Sequence, residues 1–287
     1  MDPTFIPPRE MLQPSDLQGN PLYPSGKVIH RRFWRGQTID VVDEEGGMRS
    51  LYFMSRLIQS RMDLSDPIRL VLPYSRHMMA SLIFLQNKDT PRVLMIGLGG
   101  GSLVRFILHH LPGCRLDVVE VDDGMEVLTR SFFGLPDHPG LKIHVADGAI
   151  FLQTMTGVHY DLILVDAFDH QGMARTVYAR QFFMAAKKWL IPTGIIAINL
   201  TKSDSMVYNS SVKILKTLFP VGFLRLPVRG SRNEIFLCFP ETAPRTDWTQ
   251  AEKQAKTWEQ ETAMEFGQFL QDMRRFSSPF WSRGINF

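Results

Sequence analysis

From Arg92 to about Phe239 the chain alternates short apolar runs with longer stretches whose apolar residues recur every three or four positions. The short runs, rich in Val, Ile and Leu, read as buried parallel strands. They fall at 93–97, 116–121, 141–145, 161–166, 194–200, 221–227 and 233–239. Stretches 102–111, 123–132, 148–156, 178–190 and 204–219 read as helices; in the first, Leu103, Phe106, Ile107 and Leu111 share one face. Pro192-Thr193-Gly194 reads as the turn into the fifth strand, and Arg229-Gly230-Ser231-Arg232 as a hairpin between the last two. Five strand–helix units closed by a hairpin predict an α/β fold with a seven-stranded Rossmann-like sheet, here assigned to residues 67–240.

Upstream the pattern changes. Val28–Phe33, Thr38–Val42 and Leu51–Phe53 are strand candidates, with a hairpin turn at Asp43–Gly47. They predict a small N-terminal antiparallel β domain over 27–66. Phe33, Trp34, Tyr52 and Phe53 give it an apolar face too large for so small a unit to bury, so a homodimer or higher homo-oligomer is expected. Leu70–Leu85 carries a helical pattern. Residues 1–26, with six prolines and no period, read as an extended arm. Residues 241–287 read as a helical extension, with one amphipathic helix over 247–275 carrying Trp248, Trp258, Phe266, Phe269 and Leu270.

Composition removes several classes of function. The 287 residues are 44% hydrophobic and 21% charged, an ordinary globular balance. Net charge is only +3 with no Lys/Arg run, so no nucleic-acid partner is expected. The Arg31, Arg32 and Arg35 cluster fits a half-exposed strand. No apolar stretch reaches the roughly 18 residues of a membrane span, and MDPTFIPPRE lacks the marks of a signal peptide, so a cytoplasmic location away from membranes is expected. Cys114 and Cys238 are far apart and read as reduced and buried; without CxxC or HExxH spacing no metal is expected.

Ligands of such sheets bind outside the carboxyl ends of the strands. The first strand runs into Gly97, Gly99 and Gly101, and the second ends at Glu120, Val121 and Asp122. The next ends are Asp147-Gly148 and Asp166-Ala167-Phe168-Asp169. Glycines let a backbone approach a ligand, and an acid about 20 residues on takes a ribose diol. An acidic rim suits a ribose, an adenine amino group and a cationic centre, and repels a pyrophosphate. The turn G-L-G-G-G also departs from the G-x-G-x-x-G of nicotinamide enzymes. Asp147 reads equally as the cap of the helix from Gly148 and as an adenine ligand, whereas Asp122 reads as a cap. Asp166 and Asp169, three apart at a strand end, read as a functional pair rather than turn residues.

In this order the motifs, with Tyr160-Asp161 before Asp166, resemble the spermidine synthases, the polyamine aminopropyltransferases of the class I methyltransferase fold, over about residues 28–239. Gln37–Val41 and Leu57-Ile58-Gln59 are similar to that family's N-terminal β domain. The resemblance implies aminopropyl transfer from decarboxylated S-adenosylmethionine to a polyamine-like amine. Glu120 would hold the ribose and Asp147 the adenine, with Gln59, Gly97, Gly99, Gly101, Val121 and Gly148 completing the nucleoside site. Asp166 would be the general base, and Tyr74 and Asp169 would bind the amine.

The chain departs from the family pattern in the half that recognises the amine. The family's turn is G-G-G-D-G, and its aspartate is here Gly100, where a left-handed backbone would account for glycine. His170 replaces a proline, Met54-Ser55-Arg56 a Leu-Asp-Gly, and Tyr74-Ser75-Arg76-His77 blurs a Tyr-x-Glu. Without the turn aspartate, intact S-adenosylmethionine is permitted beside its decarboxylated form. A methyltransferase and a non-catalytic nucleoside-binding homologue are therefore the alternative readings.

Overall fold

The computed structural model describes residues 22–23, 25–53, 57–169, 172–220, 222–240 and 248–277. The proline-rich arm lies almost wholly outside these residues, as do Met54-Ser55-Arg56 and His170. Strands β1 (Gly26–Trp34), β2 (Gln37–Glu44), β3 (Met48–Phe53) and β4 (Ile58–Asp63) form one antiparallel sheet in chain order. The fourth strand was not read from the residue pattern, though the resemblance places Leu57-Ile58-Gln59 in this sheet. Its IQSRMD carries little apolar alternation, and pairing with β3 holds it in the sheet.

The expected apolar face of this sheet is largely closed within the chain. Tyr52 is buried against Tyr23, with ring centroids 4.4 Å apart, and Phe53 joins the main core. Trp34 is half-buried; Phe33 stays 72% exposed. The helix expected over 70–85 is shorter and tighter. It is α1 (Pro73–Met78), running on as a 3-10 turn over Met79–Ile83. Proline at its first position has no N–H to lose there.

The central sheet uses β5 (Arg92–Ile96), β6 (Arg115–Glu120), β7 (Leu141–Val145) and β8 (Tyr160–Val165), separated by α2 (Ser102–His110), α3 (Met125–Phe133) and α4 (Gly148–Thr154). A two-residue ladder of β9 (Phe168–Asp169) and β10 (Gly172–Met173) follows, then α5 (Arg180–Lys188), β11 (Leu190–Thr201), α6 (Ser205–Leu218), β12 (Phe223–Pro227) and β13 (Asn233–Cys238). The order is β12-β13-β11-β8-β5-β6-β7, parallel except for β13 and its neighbours' pairings to it. The chain builds outward from β5 through β6 to β7, then returns to place β8 on the other side of β5. That reversal opens a crevice above β5 and β8. Pro192-Thr193-Gly194 lies inside the long β11 as a register irregularity, not as a turn before it.

Beyond the sheet lie two helices rather than one, α7 (Trp248–Thr262) and α8 (Phe266–Ser277). The break holds Ala263 in a left-handed conformation, φ 54°. It lets Phe266 stack on Trp258 at 5.9 Å, while the Trp258 indole N–H donates to the Leu82 carbonyl at 3.1 Å. Several contacts tie the small sheet to the large domain. Arg32 pairs with Asp122, Arg49 donates to the Phe132 carbonyl at 2.8 Å, and the His30 and Phe132 rings lie 4.7 Å apart.

Trp258 is the largest fully buried side chain among the described residues and joins α7 to the core. Trp258→Ala is expected to cost about 3–5 kcal/mol. Trp258→Phe should cost much less, chiefly the hydrogen bond, about 1 kcal/mol. Urea unfolding monitored by circular dichroism measures both; an unchanged midpoint for the alanine variant would show that α7 is not pinned there.

Candidate functional site

A cleft of about 1100 Å³ opens over the carboxyl ends of β5, β6, β8 and β11, with the N-terminal sheet as its far wall. Gln59, Tyr74, Gly97, Gly99, Glu120, Val121, Asp147, Gly148 and Asp166 all line it. Gly101 lies behind the lining, where a Cβ would come within 2.9 Å of Thr129 Cγ2. Asp169 sits in β9, its backbone paired with Gly172; the role expected of its side chain falls outside the described structure.

The glycine turn is built from three left-handed residues, Gly97 (φ 97°), Gly99 (φ 52°) and Gly101 (φ 67°). At Gly97 a Cβ would also run into the Asp166 carbonyl, so β5 and β8 end in close contact. Gly100 is different, and the left-handed backbone expected there is not found. What excludes a side chain is packing. A Cβ would stand 2.7 Å from Ser60 Oγ, 2.9 Å from Ser60 Cβ and 3.2 Å from Phe133 Cδ1.

The acids of the rim are already partly committed. Glu120 accepts the Leu98 N–H on Oε2 at 2.9 Å and the Asp122 N–H on Oε1 at 3.0 Å. Burial raises its pKa, and these backbone donors oppose the rise. The carboxylate thus ties the glycine turn to the end of β6 and keeps lone pairs for a ligand. Asp147 caps α4 through Ala149 N–H at 2.8 Å and Ile150 N–H at 3.1 Å, and Oδ2 accepts from the Thr176 hydroxyl at 3.1 Å. Asp122 accepts the Gly124 N–H at 3.0 Å and pairs with Arg32, holding the loop before α3.

Asp166 stands apart. Burial pushes its pKa from 3.8 up to about 6, against the opposing pull of Asn199 and Tyr74. The Asn199 amide donates to Oδ1 at 2.9 Å. The Tyr74 hydroxyl has one proton, with Asp166 and the Gln59 carbonyl, 3.1 Å away, as its acceptors. Burial first, and Asp166 second, raise the Tyr74 pKa well above its ordinary value. Among the described residues Asp166 therefore has neutral donors and no paired cation.

Three residues that the motifs did not single out belong here. Asn199 Oδ1 accepts from Asn233 at 2.8 Å, and Asn233 Oδ1 accepts from the Ser231 hydroxyl at 2.8 Å. A directed line of donors thus runs from Ser231 to Asp166. The available signal was an asparagine inside the buried run Ile195–Leu200. Gln37 lines the cleft at 3% exposure, and its Oε1 has no hydrogen-bond partner among the described residues. Among the described residues there is no group of three or more His, Cys, Asp or Glu able to hold a metal, and no helix long and apolar enough to cross a membrane.

Residues 73–223 match the spermine/spermidine synthase domain family. A polyamine aminopropyltransferase of Chromobacterium violaceum is 35% identical over 235 residues, 82% of this chain and 88% of the relative. An eEF1A lysine and N-terminal methyltransferase of Mus musculus is 32% identical over 187 residues, 60% of this chain but 27% of that protein. Among solved structures, spermidine synthase from Thermotoga maritima superposes with a TM-score of 0.70 at 16% identity, covering 89% of this chain and 86% of that one. Human methyltransferase-like protein 13 in complex with SAH gives 0.58 at 26% identity, covering 70% and 93%. The chain belongs to the spermine/spermidine synthase family, on a fold that family shares with methyltransferases.

The raised pKa of Asp166 carries a stability signature. Between its unfolded value of 3.8 and its folded value of about 6 the native state holds the extra proton, so stability falls as pH rises through that window. Above it the ionised group costs about 2–3 kcal/mol. Asp166→Asn should flatten the slope and unfold at a higher temperature than the native protein at pH 8. Calorimetric scans from pH 4 to 8 test this; parallel curves for the two proteins would contradict the burial of charge at Asp166.

Proposed function

We propose that this chain transfers the aminopropyl group of decarboxylated S-adenosylmethionine to a polyamine-like amine. The observation that carries the reading is Asp166, a half-buried carboxylate lining the cleft, its pKa pushed up to about 6 by desolvation. Glu120 takes the ribose hydroxyls and Asp147 the adenine side, with Gly97, Gly99, Gly101, Val121 and Gly148 shaping the pocket. Gln59 lies along the tail, and Tyr74 and Asp169 receive the amine. The reaction is an in-line displacement: the amine attacks the carbon beside the sulfonium, and methylthioadenosine leaves. The nitrogen sheds a proton, and a carboxylate poised near pH 6 is ionised and ready to accept it. Alignment of nitrogen and carbon in a walled cleft supplies much of the remaining acceleration.

Methyl transfer from intact S-adenosylmethionine is the second reading. Gly100 and the likeness to the eEF1A methyltransferase favour it. A cytoplasmic homodimer is proposed with either. Its apolar contact now rests on Phe33 and Leu57, each 72% exposed, rather than on Tyr52 and Phe53. Light scattering is expected to give a dimer, and Phe33→Ser to weaken it; a native monomer at micromolar concentration would count against the assembly.

Asp166→Asn should lower turnover by ~10² or more with little change in methylthioadenosine affinity. In the native enzyme kcat/KM should fall about tenfold per pH unit below about 6, as the base is protonated. A near-native rate in the asparagine variant would remove Asp166 as the base. Glu120→Gln should weaken methylthioadenosine about tenfold or more, the worth of a charged hydrogen bond. Unchanged calorimetric affinity in a folded variant would take Glu120 out of the nucleoside site.

A further inference from the structure

Asn233 pairs with Thr201 across β13 and β11, so Asn199, two residues along, lies diagonally beside it on the same face. Both asparagines line the cleft. Asn199 is 1% exposed, and its backbone carbonyl accepts the Tyr178 hydroxyl at 3.0 Å. A buried side-chain amide must satisfy both of its ends inside the protein. Asn199 Nδ2 donates to Asp166 Oδ1 at 2.9 Å, and Asn199 Oδ1 accepts from Asn233 Nδ2 at 2.8 Å. Asn233 Oδ1 accepts the Ser231 hydroxyl at 2.8 Å, while Ser231 Oγ accepts the Asn233 backbone N–H at 3.2 Å.

This line has two chemically complete directions. In the one found, every donor runs toward Asp166, which needs no proton of its own. In the reverse, both amides are turned over and Asp166 must supply an O–H to Asn199 Oδ1. The first direction goes with a carboxylate and the second with a carboxylic acid. Among the described residues the titratable groups that feel Asp166 are the Tyr74 and Tyr178 hydroxyls, both held neutral by burial first and by Asp166 second. β5 meets Asp166 with Gly97. Arg175, from the same segment as Tyr178, lines the cleft but is exposed. Glu234, beside Asn233, is taken up by Arg225, Lys202 and Tyr208.

We propose that Asn233, acting through Asn199, is a positioning residue for the transfer reaction, holding the Asn199 N–H on Asp166 so that the base meets the acceptor amine as a carboxylate. The inference rests on the reading of Asp166 as the base and adds the residue that keeps it ionised. A donor to the ionised form lowers a carboxyl pKa, so the line opposes the burial that pushes Asp166 up to about 6.

Carbon NMR of the Asp166 carboxyl follows its titration in the ligand-free protein and needs no substrate. Asn199→Ala is expected to raise the midpoint by about one pH unit, the worth of a hydrogen bond to a charged group. Asn233→Asp keeps the shape but has no N–H to give. The Asn199 amide then turns over, and the midpoint rises by about one unit or more. The double variant controls for the added charge: with Asn199→Ala already present, Asn233→Asp should add little, because the amide that carries its effect is gone. Asn233→Ala, which adds no charge, should move the midpoint the same way.

Decarboxylated S-adenosylmethionine and putrescine serve as the kinetic probes. In Asn199→Ala and Asn233→Asp, kcat/KM should fall about tenfold against the native enzyme below pH 6 and stay near native at pH 8. The acceptor's own protonation is common to all and cancels in that ratio, whereas a merely structural loss lowers the rate at every pH. A native midpoint in Asn199→Ala, or an Asn233→Asp shift as large without Asn199 as with it, overturns the proposal and leaves aminopropyl transfer standing. Shifted midpoints in a native protein that turns over neither probe strike the aminopropyl-transfer reading and still assign to the asparagines the ionisation of Asp166.

Discussion

The contact between the ends of β5 and β8 governs the rest of the cleft. Gly97 presses its α-carbon against the Asp166 carbonyl so closely that a methyl group has no place there. The backbone then pairs Gly97 N–H with the Val119 carbonyl at 2.8 Å and Asp166 N–H with the Ile96 carbonyl at 3.0 Å. Three strands are thereby locked at a common height. Glu120 and Asp166 project over the same crevice because of that lock, and the left-handed turn from Gly97 to Gly101 aims α2 away from it. A larger residue at 97 would separate the strands and, with them, Glu120 from Asp166.

Charge on the rim is less available than the count of acids implies. Asp122 answers Arg32, Asp147 holds the start of α4, and Glu120 holds the glycine turn. Each has work within the protein before any ligand arrives. Asp166 has a side-chain amide and a hydroxyl as its donors, and among the described residues only Asp122 of the four meets a cation. Neutral donors orient a carboxylate and lower its proton affinity modestly, whereas a guanidinium would hold it permanently ionised and too weakly basic. The line from Ser231 through Asn233 to Asn199 fixes the orientation of each amide, so that the Asn199 N–H points at Asp166.

Strong periodic runs made the seven-stranded sheet legible, together with the strand ends that carry Glu120, Asp147 and Asp166. Parallel strands buried on both faces have little freedom in composition, so their sequence betrays them. β4 was legible only through the resemblance at Leu57-Ile58-Gln59, because its stability comes from its neighbour β3. The division of the C-terminal segment at Ala263 escaped because an amphipathic pattern continues across the break; only the stacking of Phe266 on Trp258 requires it. Gln37, Asn199 and Asn233 carry no motif spacing. Their relevance lies in which polar atoms meet in three dimensions and which, as with Gln37, meet none.

Ser60 and Gly100 also couple the small sheet to the glycine turn. A side chain at residue 100 needs Ser60 to give way, because its Cβ would overlap the Ser60 side chain and press on Phe133. Changing the serine by itself removes a hydroxyl from the cleft and leaves a gap beside the turn. Substitutions at the two positions are therefore non-additive: the cost of one depends on the residue at the other.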